Sequence, residues 1–230
     1  MIHWRIDPAG PQALIIRFGD DIDPAQLPLI RAARDRLAQT LKGQVRDLVP
    51  AYNSLTVHYS LLRTDYPRLS EAIQNLLADL QPRTAPEGRL VKIPVWYHPQ
   101  VGPDLERLAH EHQVSVEEII RRHSGRDYSV FAIGFAPGFA YLGPVAEELA
   151  TPRLDRPRSR VPRGSVALAE RQTAVYPLAT PGGWNILGRT PLAMFDRELE
   201  NLCPVSMGDK VRFVPIDREE FLAAGGRLDA

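Results

Sequence analysis

The sequence predicts an α+β fold in two parts: a small N-terminal α+β domain over residues 1–88, then a domain over residues 89–230 built mainly on a closed or folded antiparallel sheet. Three observations carry this reading. Strand-like and helix-like apolar patterns alternate through residue 80. The segment Gln81–Gly88 is polar, holds two prolines and a glycine, and shows no apolar period. From Tyr128 onward the chain becomes short apolar runs punctuated by Gly and Pro, which favour a closed or folded antiparallel sheet.

Each element follows from a local pattern. Gln12–Phe18 (QALIIRF) is a short apolar run suited to a strand. Asp23-Pro24 reads as an N-cap and a first-turn proline, opening a helix to about Leu41 that Gly43 stops. Val45–Val49 and Ser54–Tyr59 read as two strands separated by Pro50-Ala51-Tyr52-Asn53. In the second, Leu55, Val57 and Tyr59 alternate with Ser54, Thr56 and His58. Pro67 begins a second helix running to Leu80, since Leu69, Ile73, Leu76, Leu77 and Leu80 form one apolar stripe. Beyond the break, Arg89–Tyr97 (RLVKIPVWY) is a strand and two short helices follow. The second opens on a capping box in which Ser115 and Glu118 each satisfy a free N–H, and it ends near Gly125. The remaining strands are YSVFAIGF, SVALA, QTAVYPL, NILGRTPLAMF and DKVRFVPI, with no helix expected among them.

Composition excludes several classes of function. The 28 Lys and Arg balance 28 Asp and Glu, so nothing binds nucleic acid or an anionic membrane through the overall field. Any anion affinity is local. Of the basic residues 25 are Arg and 3 are Lys (Lys42, Lys92, Lys210), which restricts lysine chemistry. Cys203 is the single cysteine, which rules out an intrachain disulfide and a cysteine zinc site. His110, His112 and His123 do not share a helical face, so no metal site is expected. No leader-like N-terminus and no long apolar run occurs, and a cytoplasmic protein is expected.

Three segments are candidates for chemistry. Gly134-Phe-Ala-Pro-Gly-Phe-Ala-Tyr-Leu-Gly143 places glycines among aromatics after an apolar strand. Such a loop either presents N–H groups to a ligand while Phe135, Phe139 and Tyr141 exclude water, or is a tight turn packed under a barrel end. Its spacing matches neither a Rossmann nor a Walker pattern. Thr151–Arg163 holds five Arg against one Asp, with three prolines that bias it to extended conformations. It is either a stiffened carboxylate or phosphate clamp or a solvated loop. Thr180-Pro-Gly-Gly-Trp-Asn-Ile-Leu-Gly-Arg-Thr190 joins a turn to Trp184, either as a pocket floor with Arg189 as anion clamp or as a core anchor.

Taken in this order, GFAPGFAYLG, the Pro/Arg segment running into VPRGSVALA, QTAVYP and TPGGWNILGRTP resemble the family of the 5-oxoprolinase B-type subunit. The same family is called allophanate hydrolase subunit 1 and includes the inhibitor of a sporulation histidine kinase. PAYNSLTVHY and GPDLERLA fit as well, so the resemblance spans essentially the whole chain. It implies that the second domain is a cyclophilin-like β-barrel. The partners it implies are an allophanate hydrolase subunit 2-type protein, which is the C-type subunit of a 5-oxoprolinase, and a lactam-utilisation-type protein as the A-type subunit. Three departures stand out: His98-Pro99-Gln100 in place of a Gly-Gly-Glu type turn, Arg163 at a position usually small, and Glu170 at one usually Gly.

The activity implied is ATP-dependent opening of 5-oxo-L-proline to L-glutamate, with ATP and Mg acting at the level of the complex. Opening a stable amide needs donors where negative charge grows, the expected role of Arg158, Arg160 and Arg189 with the backbone of Gly134, Phe135, Pro137, Gly138 and Phe139. Tyr141, Gln172, Thr173, Tyr176, Gly182, Gly183 and Trp184 are expected to line the substrate pocket. Two other readings of the resemblance are a binding module that inhibits a sensor histidine kinase and a carboxyltransferase component of a urea carboxylase.

Overall fold

The computed structural model describes residues 4–81, 88–198 and 202–228. The chain forms two compact units, Met1–Gly88 and Arg89–Ala230. Within the break read at Gln81–Gly88, residues 82–87 lie outside the described residues.

In the first unit, β1 (Arg5–Pro8), β2 (Ala13–Arg17), α1 (Leu27–Thr40), β3 (Val45–Ala51), β4 (Ser54–Tyr59) and α2 (Tyr66–Leu77) follow in order. The strands form one antiparallel sheet in the order β1-β2-β4-β3. Alternation in β4 buries Leu55, Val57 and Tyr59, and they join Leu14, Ile16, Ile30, Leu37, Leu69 and Ile73 in the core. Asp23 does cap, accepting from the Ala25 N–H at 2.9 Å, but the turn after it is 3-10 and the α-helix starts only at Leu27. β1 has no apolar alternation and gives no strand signal. Pro50 lies inside β3 opposite Leu55, which an edge strand tolerates because the missing N–H faces no partner strand.

The second unit comprises β5 (Leu90–Val95), α3 (Leu105–Glu111), α4 (Val116–Ser124), β6 (Tyr128–Ile133), β7 (Ala140–Gly143), β8 (Arg158–Val161), β9 (Ser165–Ala169), β10 (Gln172–Val175), β11 (Thr180–Gly182), β12 (Asn185–Arg189), β13 (Lys210–Pro215) and α5 (Arg218–Ala223). Seven strands form a sheet in the order β12-β9-β10-β7-β6-β13-β5. Its two ends meet: the Trp96 N–H donates to the Arg189 carbonyl at 2.9 Å, and the Arg189 N–H returns the bond at 3.0 Å. The sheet is thereby a nearly closed barrel. Gly188 is required at this seam, since a Cβ there would lie 2.5 Å from the Trp96 carbonyl oxygen.

Two expectations change. β13 and β5 pair in parallel, from Lys210 opposite Leu90 to Pro215 opposite Val95; most of the barrel lies between them in sequence, so no hairpin sets their direction. The tail is not helix-free, because α5 follows β13 and buries Phe221 against Trp96 and Val101. A complete capping box belongs to α5, with Asp217 and Glu220 reciprocating at 2.8 and 2.9 Å. At α4 only half forms: Ser115 accepts from the Glu118 N–H, while the Glu118 carboxylate turns to Arg121 and Arg122. Charge-assisted bonds outcompete the neutral cap there. No helix among the described residues is long and apolar enough to cross a membrane.

His123 on α4 sits fully buried in the barrel core, its ring stacked on Phe213 at 4.6 Å. The Thr173 hydroxyl donates to the Ala167 carbonyl, so it must accept from His123 Nε2–H at 2.9 Å. The other ring nitrogen therefore accepts from the Tyr97 hydroxyl at 2.7 Å. These bonds satisfy a neutral imidazole, and burial holds its pKa down to about 3. The unfolded chain, with an ordinary value near 6.5, binds a proton that the folded chain refuses. Stability is full above about pH 6.5 and falls as pH drops toward 3, by roughly 1.4 kcal/mol per unit. Urea unfolding is expected to lose about 2 kcal/mol between roughly pH 6.5 and 5 from this group, a loss absent in His123→Gln.

Candidate functional site

β9, β10 and β12 supply the floor of the site. Along them Val166, Leu168, Val175 and Leu187 point into the barrel core, while Ala167, Ala169, Ala174, Tyr176 and Ile186 face outward into a second apolar layer. That two-sided burial explains why SVALA reads as a continuous apolar run. The alanines on the outer face leave room for rings. Phe139 fills that room, its centroid 4.9 Å from Tyr141, 5.4 Å from Phe135 and Tyr176, and 5.8 Å from Trp184. The pairs with Tyr141, Phe135, Tyr176 and Trp184 are all edge-on, the favoured contact of ring quadrupoles.

The loop between β6 and β7 shapes this cluster. Its Gly134 N–H donates to the Phe139 carbonyl and its Phe139 N–H to the Ala136 carbonyl, so those two groups close the turn rather than face a ligand. Pro137 has no N–H, which leaves the N–H groups of Phe135, Ala136 and Gly138. Gly138 has φ of +81°, and a Cβ there would lie 2.3 Å from the Met194 carbonyl oxygen. Phe135 also takes a positive φ, 69°, and its side chain is 72% exposed at the tip. A large side chain in that region is strained, which marks the tip as a contact point.

β8 and β11 form a separate two-stranded ribbon pairing Thr180 with Val161 and Gly182 with Arg158. It carries the arginine segment to the aromatic cluster. Arg158 Nη2 meets Asp104 Oδ1 at 2.9 Å, and the Arg153 guanidinium carbon stands 5.9 Å from the Trp184 ring centroid. Asp104 is 3% exposed; its Oδ1 also meets Arg107 at 3.3 Å, and its Oδ2 accepts from the Ile186 N–H at 2.8 Å. An Asp opening a helix normally caps it. Here the side chain makes no cap bond and turns to the arginines instead. Tyr176 lies beneath Gly182, its hydroxyl pushed up by burial against the opposing pull of the Trp184 backbone N–H, Arg153 and Arg158.

The expected residues divide into three groups. Phe135, Phe139, Tyr141, Tyr176, Gly182, Gly183, Trp184 and Arg158 come together, with the Gly183 carbonyl accepting the Leu154 N–H at 2.7 Å. Gln172 opens β10 half-buried, on the same side as Ala174 and Tyr176 by alternation. Arg160 is exposed on β8 without an ion pair to a described residue. Two residues stand apart. Alternation turns Thr173 inward to His123, and Arg189 lies at the far end of β12 from Trp184, about 16 Å along the strand. Two residues missed in sequence reading belong to the cluster, Asp104 and Arg107, and from the arginine segment Arg153 joins it beside Arg158. The signal for Asp104 is present, an acidic residue in GPDLERLA, but it reads equally as a cap. Glu170 has φ of 53° in the β9–β10 turn, a conformation that glycine adopts without strain.

Chemically, the cluster is a set of rings packed edge to face, with Phe139, Tyr176 and Trp184 buried, Tyr141 half-buried and Phe135 exposed; its accessible edge, flanked by guanidinium groups, suits a small ring bearing negative charge. Asp104, the carboxylate of this cluster, is committed to two arginines and the Ile186 N–H, which leaves it poorly placed to hold the cation of Mg-ATP. Arg158→Ala is expected to destabilise the protein by about 2 kcal/mol in urea unfolding, below the ~3–5 typical of a broken buried pair because Arg107 remains on Asp104. Arg160→Ala is expected to change stability by less than about 0.5 kcal/mol.

Comparison with known proteins places this chain in a family. Residues 4–205 match the family described as carboxyltransferase domain, subdomain C and D. The chain is 34% identical to the 5-oxoprolinase B-type subunit of Bacillus subtilis over 96% of this chain and 97% of that one. It is 42% identical to the 5-oxoprolinase B-type subunit of Escherichia coli O157:H7, covering 78% of this chain and 83% of the other. Among solved structures, TTHA0988 superposes with a TM-score of 0.80 at 34% identity, over 90% of this chain, which spans only 40% of that longer chain. The urea carboxylase of Kluyveromyces lactis superposes with a TM-score of 0.74 at 14% identity, over 96% of this chain and 22% of the other, a likeness of fold. On these grounds the chain belongs to the family of 5-oxoprolinase B-type subunits, within the carboxyltransferase domain C and D family.

Proposed function

We propose that this chain is the B-type subunit of an ATP-dependent 5-oxoprolinase, holding the lactam while partner subunits complete the reaction. The observation that carries the proposal is the full-length likeness to the Bacillus subtilis 5-oxoprolinase protein, which runs through both units rather than one motif. The site supports it chemically. A five-membered lactam is a small planar ring carrying a carboxylate, and it would lie on Tyr141 and Phe135, the accessible rings of the cluster that Phe139 and Trp184 support. Arg153 at the Trp184 face and Arg160 on the ribbon would meet the carboxylate, while Asp104 fixes the orientation of Arg158.

Hydrolysis needs more than this chain supplies. Partners of C type and of A type would bring the remaining groups, and Mg-ATP would bind on them, since Asp104 here is committed to Arg107 and Arg158. Phe135 favours a second reading, in which its exposed ring docks on a protein surface such as the kinase target of an inhibitor. The carboxyltransferase reading rests on fold alone.

The test is reconstitution with the A-type and C-type partner proteins. The mixture is expected to convert 5-oxoproline to glutamate with ATP, and the purified single chain to do so at least about 100-fold more slowly. Trp184→Ala is expected to lower activity by at least about tenfold while the proteins still co-elute. Equal rates for the single chain and the mixture would contradict the shared-reaction reading. Full activity of Trp184→Ala would remove the aromatic cluster from it.

A further inference from the structure

A second site lies at the barrel seam, apart from the aromatic cluster. A cleft of about 140 Å³ opens between the turn before β9, the end of β12 and the chain after α5, walled by Arg163, Gly164, Arg189, Thr190, Leu192 and Gly226. Arg189 is its inner wall and is 6% exposed. Its Nη1 donates to the Arg227 and Leu228 carbonyls at 2.9 and 3.4 Å, but its Nε is buried without a partner among the described residues. No described carboxylate forms an ion pair with it, and burial pulls its pKa down. Arg163 stands exposed at the rim, also without an ion pair to a described residue. A guanidinium taken out of water without a counter-charge is costly, and among the described residues no acidic side chain lines the cleft to offset it.

The backbone of the cleft decides between kinds of anion. The Gly164 N–H is spent on the Tyr176 carbonyl, Thr190 on Gly164, Leu192 on the Thr190 hydroxyl, Gly225 on Leu222 and Gly226 on Phe221. No nest of free N–H groups of the kind that cradles phosphate is left among these residues, and the donors are guanidinium forks. Pro191 and Leu192 add an apolar wall. The volume corresponds to roughly five waters at about 30 Å³ each, room for a short chain and little more. The geometry points to a binding site for a small aliphatic carboxylate, held between Arg189 and Arg163 with its tail against Leu192. This inference is independent of the lactam reading, because it uses none of the aromatic residues.

The full-length chain gives a direct readout, since a buried arginine Nε–H is visible as its own ¹H–¹⁵N signal, assigned by its loss in Arg189→Lys. Titrated with butyrate, that signal is expected to shift saturably with a Kd on the order of 1 mM. Arg163→Ala, at an exposed position, is expected to weaken binding about fivefold without altering the fold, and inorganic phosphate to bind at least about fivefold more weakly than butyrate. Asp229→Asn is measured alongside, because that carboxylate follows Leu228 in the sequence. The proposal is overturned if the shift does not saturate, if chloride at equal ionic strength reproduces it, or if Arg163→Ala leaves it unchanged. Phosphate binding as tightly as butyrate would overturn the choice of carboxylate, and binding seen only in Asp229→Asn would make the occupant the chain's own side chain.

Discussion

The carboxylate of Asp104 is almost wholly out of water and gathers donors from three parts of the second unit. Arg107 comes from its own helix, Arg158 from the ribbon, and the Ile186 N–H from the barrel wall. The Asp104 N–H also donates to the Ile186 carbonyl at 3.2 Å, so the residue is joined to β12 by backbone and side chain together. A buried carboxylate stripped of any one donor keeps much of its desolvation cost, which makes the arrangement cooperative. Asp104 is the charged anchor of the ribbon; the arginine segment is also held by β11, by the Leu154 N–H on the Gly183 carbonyl, by Asn185 Nδ2 on the Pro152 carbonyl and by buried Val161.

Closing the barrel creates two different environments along one strand. β12 begins beside Trp184, under the aromatic layer, and ends at Arg189, where it meets Trp96 across the seam. The first end is apolar with cations at its margin. The second is a buried cation beneath a small cleft. Both depend on β9, whose inner side chains build the core and whose outer alanines admit the rings. The barrel interior takes no part in either site: His123 is sealed there as a neutral link between Tyr97 and Thr173.

Much of this is legible in the sequence where one local force decides. The α+β class, β4 and β9 follow from apolar patterning, and α4 begins where Ser115 says it should. The aromatics of GFAPGFAYLG and Trp184 are legible as one cluster because bulky rings beside glycines must pack on something. Failures come where distant parts of the chain decide. β8 and β11 are strands because they pair with each other, and Arg158 finds a buried carboxylate that its exposed neighbour Arg160 does not. Asp104 looks like a cap because helix position, not the barrel, is what sequence displays. Arg189 reads in sequence as a partner of Trp184 because the two ends of one strand are near in sequence and far in space.

The central claim is that Asp104 holds the ribbon and the start of β12 in place. Amide hydrogen exchange on Asp104→Asn tests it most directly, read residue by residue against the unaltered chain. Protection is expected to fall by at least about tenfold at Arg158–Val161 and at Asn185 and Ile186, while the amides of β13, β5 and the whole first unit stay within about twofold. Unchanged protection in the ribbon, or a loss spread evenly over the second unit, would contradict the claim.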